Sequence, residues 1–210
     1  MLRILIADDH PVFRKGLKQI INEANDMAVT GEVSDGLEVL SRVRAGCFDV
    51  VLLDISLPGI NGIDILKQLR IETPGLPVLM LTMHPEEQYA IRALKAGASG
   101  YLTKESTPEE LVTAIRKVSA GGKYVSSSLA ETLANELGRK EEKPPHETLS
   151  DREYQIMPLI ATGKTVTQIA KELSLSIKTI STYRSRILEK MGMKNNAELT
   201  YYAIKNRLID

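Results

Sequence analysis

The sequence predicts a chain of two parts: an α/β doubly wound domain with a five-stranded parallel sheet, followed by a small all-α helix-turn-helix domain. Its 210 residues exceed one average domain, and contents of 43% hydrophobic and 26% charged residues are ordinary for a globular protein. Over residues 1–121, five short β-rich runs alternate with five longer amphipathic runs. Residues 146–210 carry helix-start signals without a strand pattern, which indicates a change of structural class.

The predicted elements of the first part follow each other in strict alternation. The strands are short, mainly branched apolar runs at positions 2–7, 28–33, 50–54, 78–82 and 100–103. The helical patterns lie at 11–23, 35–45, 62–72, 86–96 and 108–120, the last with Thr107 as N-cap and Glu110 completing a capping box. Elements that alternate in this way form a parallel sheet with helices on both faces.

The residues at the carboxyl ends of these strands carry the chemistry of the first part. Asp8 and Asp9 end the first strand, Asp54 the third and Thr82 the fourth, and Lys104 follows the fifth. In an open parallel sheet these ends share one edge, where ligands bind. Three close carboxylates call for a cation, and an all-oxygen ligand set suits Mg²⁺. Asp54 can then accept a phosphoryl group as a nucleophile, with Thr82 and Lys104 bonding the phosphoryl oxygens.

Five separated segments closely resemble the receiver domain of two-component response regulators, which has a flavodoxin-like fold. They are Asp8-Asp9, Asp54, Ser56-Leu57-Pro58-Gly59, Leu81-Thr82-Met83 and Gly100-Tyr101-Leu102-Thr103-Lys104. The resemblance implies that a sensor histidine kinase transfers a phosphoryl group to Asp54. It also implies that Asp9, Asp54 and the backbone carbonyl of Ser56 hold Mg²⁺, with Asp8 assisting through a water molecule.

The same resemblance implies roles for residues at the ends of the fourth and fifth strands, and it includes the residue after the acidic pair. Thr82, Tyr101 and Lys104 look like the switch residues that sense the phosphoryl group in the family. His10 follows the acidic pair and is interpreted as a loop residue.

Residues 122–145 are predicted to link the two parts. Ser128 and Glu131 have the spacing of a capping box, and Gly138 marks a helix stop, which together predict one connecting helix. Residues 139–145 contain no apolar residue other than two prolines and indicate a solvated tether. The domains are therefore expected at 1–121 and 146–210.

Three helix starts follow each other closely in residues 146–210. Ser150 with Glu153 and Thr165 with Gln168 have capping-box spacing, and Ser176 precedes a longer helix that runs to about residue 191. Two helices joined by a tight turn form a helix-turn-helix, whose second helix can enter the major groove of DNA.

Pro158 stands inside the first of these helices. A proline there removes one amide hydrogen bond and costs about 3 kcal/mol or kinks the helix. We predict a kink at this position.

The longer helix has an apolar side and a polar side at about 100° per residue. Its apolar residues are predicted to face the core: Ile177, Ile180, Ile187, Leu188 and Met191. The opposite side is small, polar and cationic, which suits hydrogen bonds to base edges and phosphates. An ordinary solvated face is the commoner explanation of a short basic helix, but the scarcity of Glu on this side favours DNA. Arg184 projects inward, where it could pair with a carboxylate.

Segments 149–153, 168–173, 176–180 and 197–199 resemble the LuxR-type DNA-binding domain. Together with the receiver, they make the chain similar to the NarL/FixJ family over nearly its whole length. The family pattern implies double-stranded DNA as a partner, contacted by Lys178, Thr179, Ser181, Thr182, Ser185, Arg186, Thr165 and Lys171. The final helix, near residues 196–205, is similar to the dimer contact of the family, so a homodimer is expected at least on DNA or after phosphorylation.

Charge and cysteine content add weaker evidence. Lys and Arg counted against Asp and Glu give a net charge of −3 for residues 1–121, 0 for 122–145 and +3 for 146–210, which agrees with a nucleic-acid partner for the last part. Cys47 is the single cysteine and is expected to be a small buried residue. No apolar run is long enough for a signal peptide or a membrane span, so a cytoplasmic protein without a membrane partner is predicted.

These observations predict a transcription regulator that is not an enzyme and is switched by phosphorylation of Asp54. Three alternatives stay open. The strand-end residues could form a structural salt-bridge cluster, which explains one residue better than all five. A phosphatase of the haloacid dehalogenase type also uses an Asp nucleophile at a strand end, but Ser56 stands where its second Asp belongs. A constitutive DNA binder is disfavoured by the acidic pair, Thr82 and Lys104.

Overall fold

The computed structural model describes residues 1–138 and 144–209. They fall into two compact units, residues 1–139 and 140–210, and each is described by itself. Residues 139–143 of the predicted tether lie outside the described residues, and a short 3₁₀ helix follows at Pro145–Thr148. Of the helices within the described ranges, none has both the length and the apolar character to cross a membrane.

The first unit contains a five-stranded sheet whose strands all run parallel. The strands are β1 (Leu2–Ala7), β2 (Met27–Val33), β3 (Val50–Leu53), β4 (Val78–Thr82) and β5 (Gly100–Thr103). Their order across the sheet is β2-β1-β3-β4-β5, so the chain reverses its direction of winding between β1 and β3. The predicted doubly wound fold is confirmed, and the reversal marks the sheet edge where such folds bind ligands.

Five helices connect or follow these strands: α1 (Pro11–Glu23), α2 (Gly36–Ala45), α3 (Gly62–Glu72), α4 (Glu86–Lys95) and α5 (Pro108–Ser119). Their bounds match the predicted patterns to within one residue. The capping box of Thr107 and Glu110 is present at the start of α5.

The central strand β3 is buried along its whole length, as its uninterrupted apolar sequence predicts. Val50 and Leu52 belong to a core cluster with Leu17 of α1 and Ile115 of α5. The alternate residues of β3 point to the other face and are equally buried, so both faces are covered. Each buried side chain of this size contributes about 1.5–3 kcal/mol, which makes β3 a rigid support for the residue that follows it, Asp54.

Cys47 is exposed, and the prediction of a buried cysteine is wrong. It lies in the loop between α2 and β3, directly before Phe48. The Phe48 ring occupies the space next to Gly31 and Gly46. Because a phenyl ring removes more apolar area from water than a thiol does, Phe48 takes the inner position and Cys47 faces solvent.

The predicted connecting helix, α6 (Ser127–Gly138), belongs to the first unit. Its N-cap is Ser126 and not Ser128, because the Leu129 amide donates to the Ser126 hydroxyl at 3.1 Å. The Ser126 and Ser128 hydroxyls both donate to Glu86 of α4, and Leu129 is buried. Just before α6, the Tyr124 amide donates to the Ser99 carbonyl beside β5. The start of the linker is thus attached to α4 and β5.

The second unit is helical, with α7 (Asp151–Ala161), α8 (Val166–Glu172), α9 (Ile177–Met191) and α10 (Asn196–Lys205). The predicted capping boxes at the starts of α7 and α8 are present, and the Ser176 hydroxyl caps α9. Helix α7 continues through Pro158, where the Tyr154 carbonyl loses its helical amide donor. The bend at Pro158 stays a prediction.

A buried carboxylate, Glu153, ties α7 to α9. Its Oε2 accepts from the Ser150 amide at 2.8 Å and from Lys190 Nζ at 2.6 Å, and its side chain is 3% exposed. Burial raises the pKa of Glu153, but the hydrogen bonds from Lys190 and Ser150 outweigh that effect and hold the pKa below its ordinary value. Because the pKa of Glu153 is lower in the folded state, the ionised carboxylate stabilises the fold at pH values above about 4.3, the pKa of a Glu in an unfolded chain. This stabilisation is lost as the pH falls from there through the lower pKa of the folded state.

Glu153→Gln is therefore expected to lower the free energy of unfolding of the second unit by about 1–2 kcal/mol at pH 7, since Lys190 is half-exposed and loses an ionic partner. The difference from the wild type should shrink at pH 3. Urea unfolding of the full chain at both pH values measures it. Glu172→Gln, which breaks an exposed 2.6 Å pair with Lys164, should change little. An equal loss for Glu153→Gln at both pH values would contradict the ionic explanation.

Candidate functional site

Two buried carboxylates and one ammonium group lie together at the carboxyl edge of the sheet. Lys104 Nζ is 2.6 Å from Asp8 Oδ2 and 2.7 Å from Asp54 Oδ2, and all three side chains are 2–3% exposed. Burial lowers the pKa of Lys104, but attraction and hydrogen bonds from Asp54 and Asp8 outweigh it and leave the pKa raised. The Nζ group also lies 4.9 Å from the centre of the Phe13 ring. Lys104 is thus a fixed positive charge beside Asp54.

The backbone places these side chains by extending the strand hydrogen bonds one residue past each strand. The Asp8 amide donates to the Val33 carbonyl, the Asp54 amide to the Ala7 carbonyl, and the Lys104 amide to the Thr82 carbonyl, at 2.8–3.1 Å. The chain then turns, and Gly62 at the start of α3 packs on the backbone of Asp54. The sheet therefore determines the position of the pocket.

Four side chains at this edge present possible metal ligands within 4.8 Å of one another: Asp8, Asp9, His10 and Asp54. Asp9 Oδ1 is a buried atom without a hydrogen-bond partner among the described residues. A buried, unsatisfied carboxylate oxygen beside two further carboxylates fits a divalent cation. His10 belongs to this cluster and lies in the loop between β1 and α1, as the N-cap of α1.

The predicted switch residues occupy two different places. Thr82 is fully buried at the end of β4, and its hydroxyl accepts from the His84 amide at 3.3 Å. The Tyr101 ring is buried, and its hydroxyl donates to the His84 carbonyl at 3.0 Å. Tyr101 thus contacts the loop after β4, and Lys104 contacts Asp54.

His84 also lies at the site, and it was not among the residues predicted there. Its Nε2 is 2.9 Å from the Ser56 hydroxyl, and its ring lies 4.5 Å from the Tyr89 ring. Burial lowers the pKa of His84. Its position two residues after Thr82 is the only signal in the sequence, because the pairing with Ser56 depends on two loop conformations.

The polar side of α9 is open to solvent, as predicted. Its exposed residues are Lys178, Ser181, Thr182, Ser185 and Arg186, and Thr179 is half-buried beside Ser176. The Thr182 hydroxyl donates to the Lys178 carbonyl and the Ser185 hydroxyl to the Ser181 carbonyl, so both oxygens present free lone pairs outward. A groove on this side is lined by Ser176, Lys178, Thr179, Thr182, Tyr183 and Arg186. Tyr183 was not predicted to line it.

The remaining predictions for the second unit have mixed outcomes. Thr165, the N-cap of α8, and Lys171 within α8 are exposed, although the Thr165 hydroxyl donates to Gln168. Arg184 projects inward as predicted, but it donates to the Asn196 amide oxygen at 2.7 Å and not to a carboxylate. Ile177 is 50% exposed and does not join the core with Ile180.

Comparison with known proteins covers both units. Residues 4–116 match the family described as response regulator receiver domain, and residues 147–203 match bacterial regulatory proteins of the luxR family. Response regulator UvrY of Escherichia coli O6:H1 is 37% identical over 209 residues, which are 99% of this chain and 96% of that protein. Oxygen regulatory protein NreC of Staphylococcus aureus is 37% identical over 216 residues, with 100% of both chains covered.

A solved structure extends the similarity to the fold. RcsB of Salmonella enterica serovar Typhimurium, bound to promoter rprA in the presence of the phosphomimetic BeF3-, is 28% identical with a TM-score of 0.66. The match covers 96% of this chain and 97% of that one.

Proposed function

The chain belongs to the two-component response regulators that join a receiver domain to a luxR-type DNA-binding domain, and from this premise we propose that phosphorylation of Asp54 controls its binding to DNA. The observation that carries the proposal is the pocket in which the Asp54 carboxylate lies 2.7 Å from Lys104 Nζ beside Asp8. We assign residues 1–121 to the receiver, 122–145 to the linker and 146–210 to DNA binding.

A carboxylate oxygen of Asp54 attacks the phosphorus of the phosphohistidine that a sensor histidine kinase presents. The O–P bond of an acyl phosphate forms, and the N–P bond breaks with its electron pair returning to the imidazole of the kinase. Lys104 supplies a fixed charge for the phosphoryl oxygens, and the Thr82 hydroxyl offers a hydrogen bond to them. Asp9, Asp54 and the Ser56 carbonyl would hold Mg²⁺, with Asp8 through a water, and that ion neutralises charge on the phosphoryl group when bound.

We propose that the phosphorylation signal passes from Asp54 to the linker through contacts within the first unit. Thr82 and Tyr101 both form hydrogen bonds with His84, in the loop that leads into α4. At the start of α4, Glu86 accepts hydrogen bonds from Ser126 and Ser128 at the start of α6. We propose that a change at Thr82 alters this attachment and thereby the restraint on the DNA-binding domain. Phosphorylation can shift this equilibrium only by the difference between its free energies of interaction with the two states, so unphosphorylated protein still binds DNA weakly.

In the second unit, the polar side of α9 contacts bases and α8 contacts the phosphate backbone. A homodimer on DNA forms through α10, whose Tyr201 and Ile204 are 70% and 55% exposed. Two large exposed apolar side chains one turn apart on one helix suit contact with a second copy.

The test compares DNA affinity of the full chain before and after treatment with acetyl phosphate, in the wild type and in Asp54→Ala. Binding-site selection on genomic DNA supplies the target sequence. Acetyl phosphate is expected to raise the affinity of the wild type and to leave Asp54→Ala unchanged. Equal affinity in all four preparations would contradict the switch.

Lys178→Ala is expected to weaken binding to the selected DNA by about tenfold and, if Lys178 meets a phosphate, to reduce the slope of log affinity against log salt by about 1. Lys178 lies on the exposed side of α9 and lines the groove there. Lys194→Ala removes an exposed lysine after α9 and serves as the control, with a change below about twofold. Equal losses of DNA affinity in Lys178→Ala and Lys194→Ala would indicate a general effect of charge and not a contact from α9.

A further inference from the structure

Three side chains in the groove on the polar side of α9 carry hydrogen-bond donors without an acceptor among residues 1–138 and 144–209. They are the ammonium of Lys178, the phenol of Tyr183 and the guanidinium of Arg186. The other donors of the groove are already used. The Ser176 and Thr179 hydroxyls bond each other at 2.7 Å, and the Thr182 hydroxyl donates to the carbonyl of Lys178 at 3.0 Å.

The chemistry of these free donors suits an anion with several oxygens. Two of the three groups are positively charged, the third is a neutral hydroxyl, and the described residues that line the groove include no carboxylate. Charged and neutral donors that converge in this way bind phosphate oxygens. In the proposed function, the phosphates of double-stranded DNA are the anions that approach α9.

Tyr183 differs from the two cations in how firmly its donor is held. Its side chain is half-buried, whereas Lys178 and Arg186 are exposed. A tyrosine has only two side-chain torsions, so the packing of its ring also limits where the hydroxyl can lie. A donor that is restricted in this way before binding loses little conformational entropy when it meets its acceptor.

The position of Tyr183 on α9 indicates which part of the DNA it meets. It follows Thr179 by four residues and precedes Arg186 by three, so the three side chains form one row along the helix. Thr182, in the middle of the polar side, points about 100° away from Tyr183. The major groove is about 12 Å wide, which is close to the diameter of a helix with its side chains. A helix that turns its middle to the bases therefore turns such a border row to a wall of the groove, which is a phosphate backbone.

We propose that the Tyr183 hydroxyl donates a hydrogen bond to a phosphate of the DNA, and that Arg186 pairs with the backbone of the same strand. The inference rests on the DNA binding of the proposed function and divides the contacts of α9 into two classes. The middle of the polar side reads bases, and the row of Tyr183 and Arg186 adds affinity that does not depend on sequence.

The experiment measures the affinity of the full chain, treated with acetyl phosphate, for the selected DNA and for DNA of the same length with a scrambled sequence. Tyr183→Phe keeps the ring and removes the hydroxyl, and it is expected to weaken binding to both DNAs by about the same factor, roughly tenfold. The slope of log affinity against log salt should stay as in the wild type, because no charge is lost. Arg186→Gln should also weaken binding to both DNAs, but with a slope reduced by about 1. Tyr124→Phe, which removes a phenol hydroxyl from the first unit, is the control and should bind as the wild type does.

A second measurement identifies the acceptor. The phosphates of the selected DNA are replaced one at a time by uncharged methylphosphonate. At one position, the substitution should weaken binding of the wild type clearly more than binding of Tyr183→Phe, because the two changes remove the same contact.

The outcomes distinguish this inference from the proposed function. If Lys178→Ala loses affinity while Tyr183→Phe binds both DNAs as the wild type does, the role of Tyr183 is overturned and the proposed function stands. If Tyr183→Phe weakens binding to the selected DNA alone, the hydroxyl reads a base and the assignment to a phosphate is overturned. If the wild type binds neither DNA, the proposed function and this inference are both overturned.

Discussion

Replacing Lys104 with methionine is expected to lower the free energy of unfolding of the receiver domain by about 3–5 kcal/mol in the absence of divalent cations. Methionine keeps the length of the side chain but removes the charge that lies 2.6 Å from Asp8 and 2.7 Å from Asp54. Both carboxylates are 2% exposed, so few water molecules can reach them to replace the lost partner. Urea unfolding of the full chain in EDTA measures the loss.

Lys18→Met is the matched control. Lys18 lies 2.6 Å from Glu32 in the same domain, but the two side chains are 48% and 33% exposed, so its loss should be within about 1 kcal/mol. Mg²⁺ should recover more stability in Lys104→Met than in the wild type, because a cation then neutralises a pocket that has lost its own charge. If Lys104→Met and Lys18→Met lost similar amounts of unfolding free energy and responded alike to Mg²⁺, burial of Lys104 with Asp8 and Asp54 would be unimportant for stability.

The part of the site that lies at strand ends could be predicted from the sequence. Asp8, Asp54 and Lys104 are far apart along the chain, but each follows a strand whose apolar run fixes where it ends. A doubly wound sheet then brings those ends to one edge, whatever the loops do. The same logic located Thr82 at the end of β4.

The parts that depend on loops could not be predicted. His84 meets Ser56 because the loops after β3 and β4 approach each other, and His10 turns its ring toward Asp9 at the start of α1. A histidine next to an acidic pair has many possible orientations, and only the local backbone selects one. Cys47 shows the same limit, since its exposure depends on which of two neighbouring loop residues packs inward.

For α6 in the linker, the sequence predicts the helix correctly but assigns its N-cap to the wrong serine. Serines stand at 126, 127 and 128, and each can cap a helix. Glu86 contacts Ser126 and Ser128 at the start of α6, and Ser126 is the serine that caps the helix. That choice depends on a residue forty positions away and is invisible to local patterns.

Gly62→Ala is expected to lower the free energy of unfolding by at least about 3 kcal/mol and to abolish phosphorylation of Asp54 by acetyl phosphate. A Cβ at residue 62 would lie closer than 3.0 Å to the carbonyl oxygen of Asp54 and the Cα of Ile55. Overpacking commonly costs about 1–3 kcal/mol when a side chain can move, and here the obstacle is backbone at the end of a buried strand. The Gly62 amide also donates to the Ile55 carbonyl at 2.9 Å, so α3 cannot withdraw without breaking that bond.

Gly16→Ala provides the opposite expectation from the same substitution. Gly16 is exposed inside α1, and a Cβ there would meet nothing within 4 Å, so alanine should stabilise the domain by about 0.5–1 kcal/mol. Urea unfolding and the rate of labelling by acetyl phosphate, measured on both variants, separate the two cases. Wild-type stability and labelling in Gly62→Ala would mean that α3 does not rest on the Asp54 backbone, and the pocket would then lack the support that we ascribe to it.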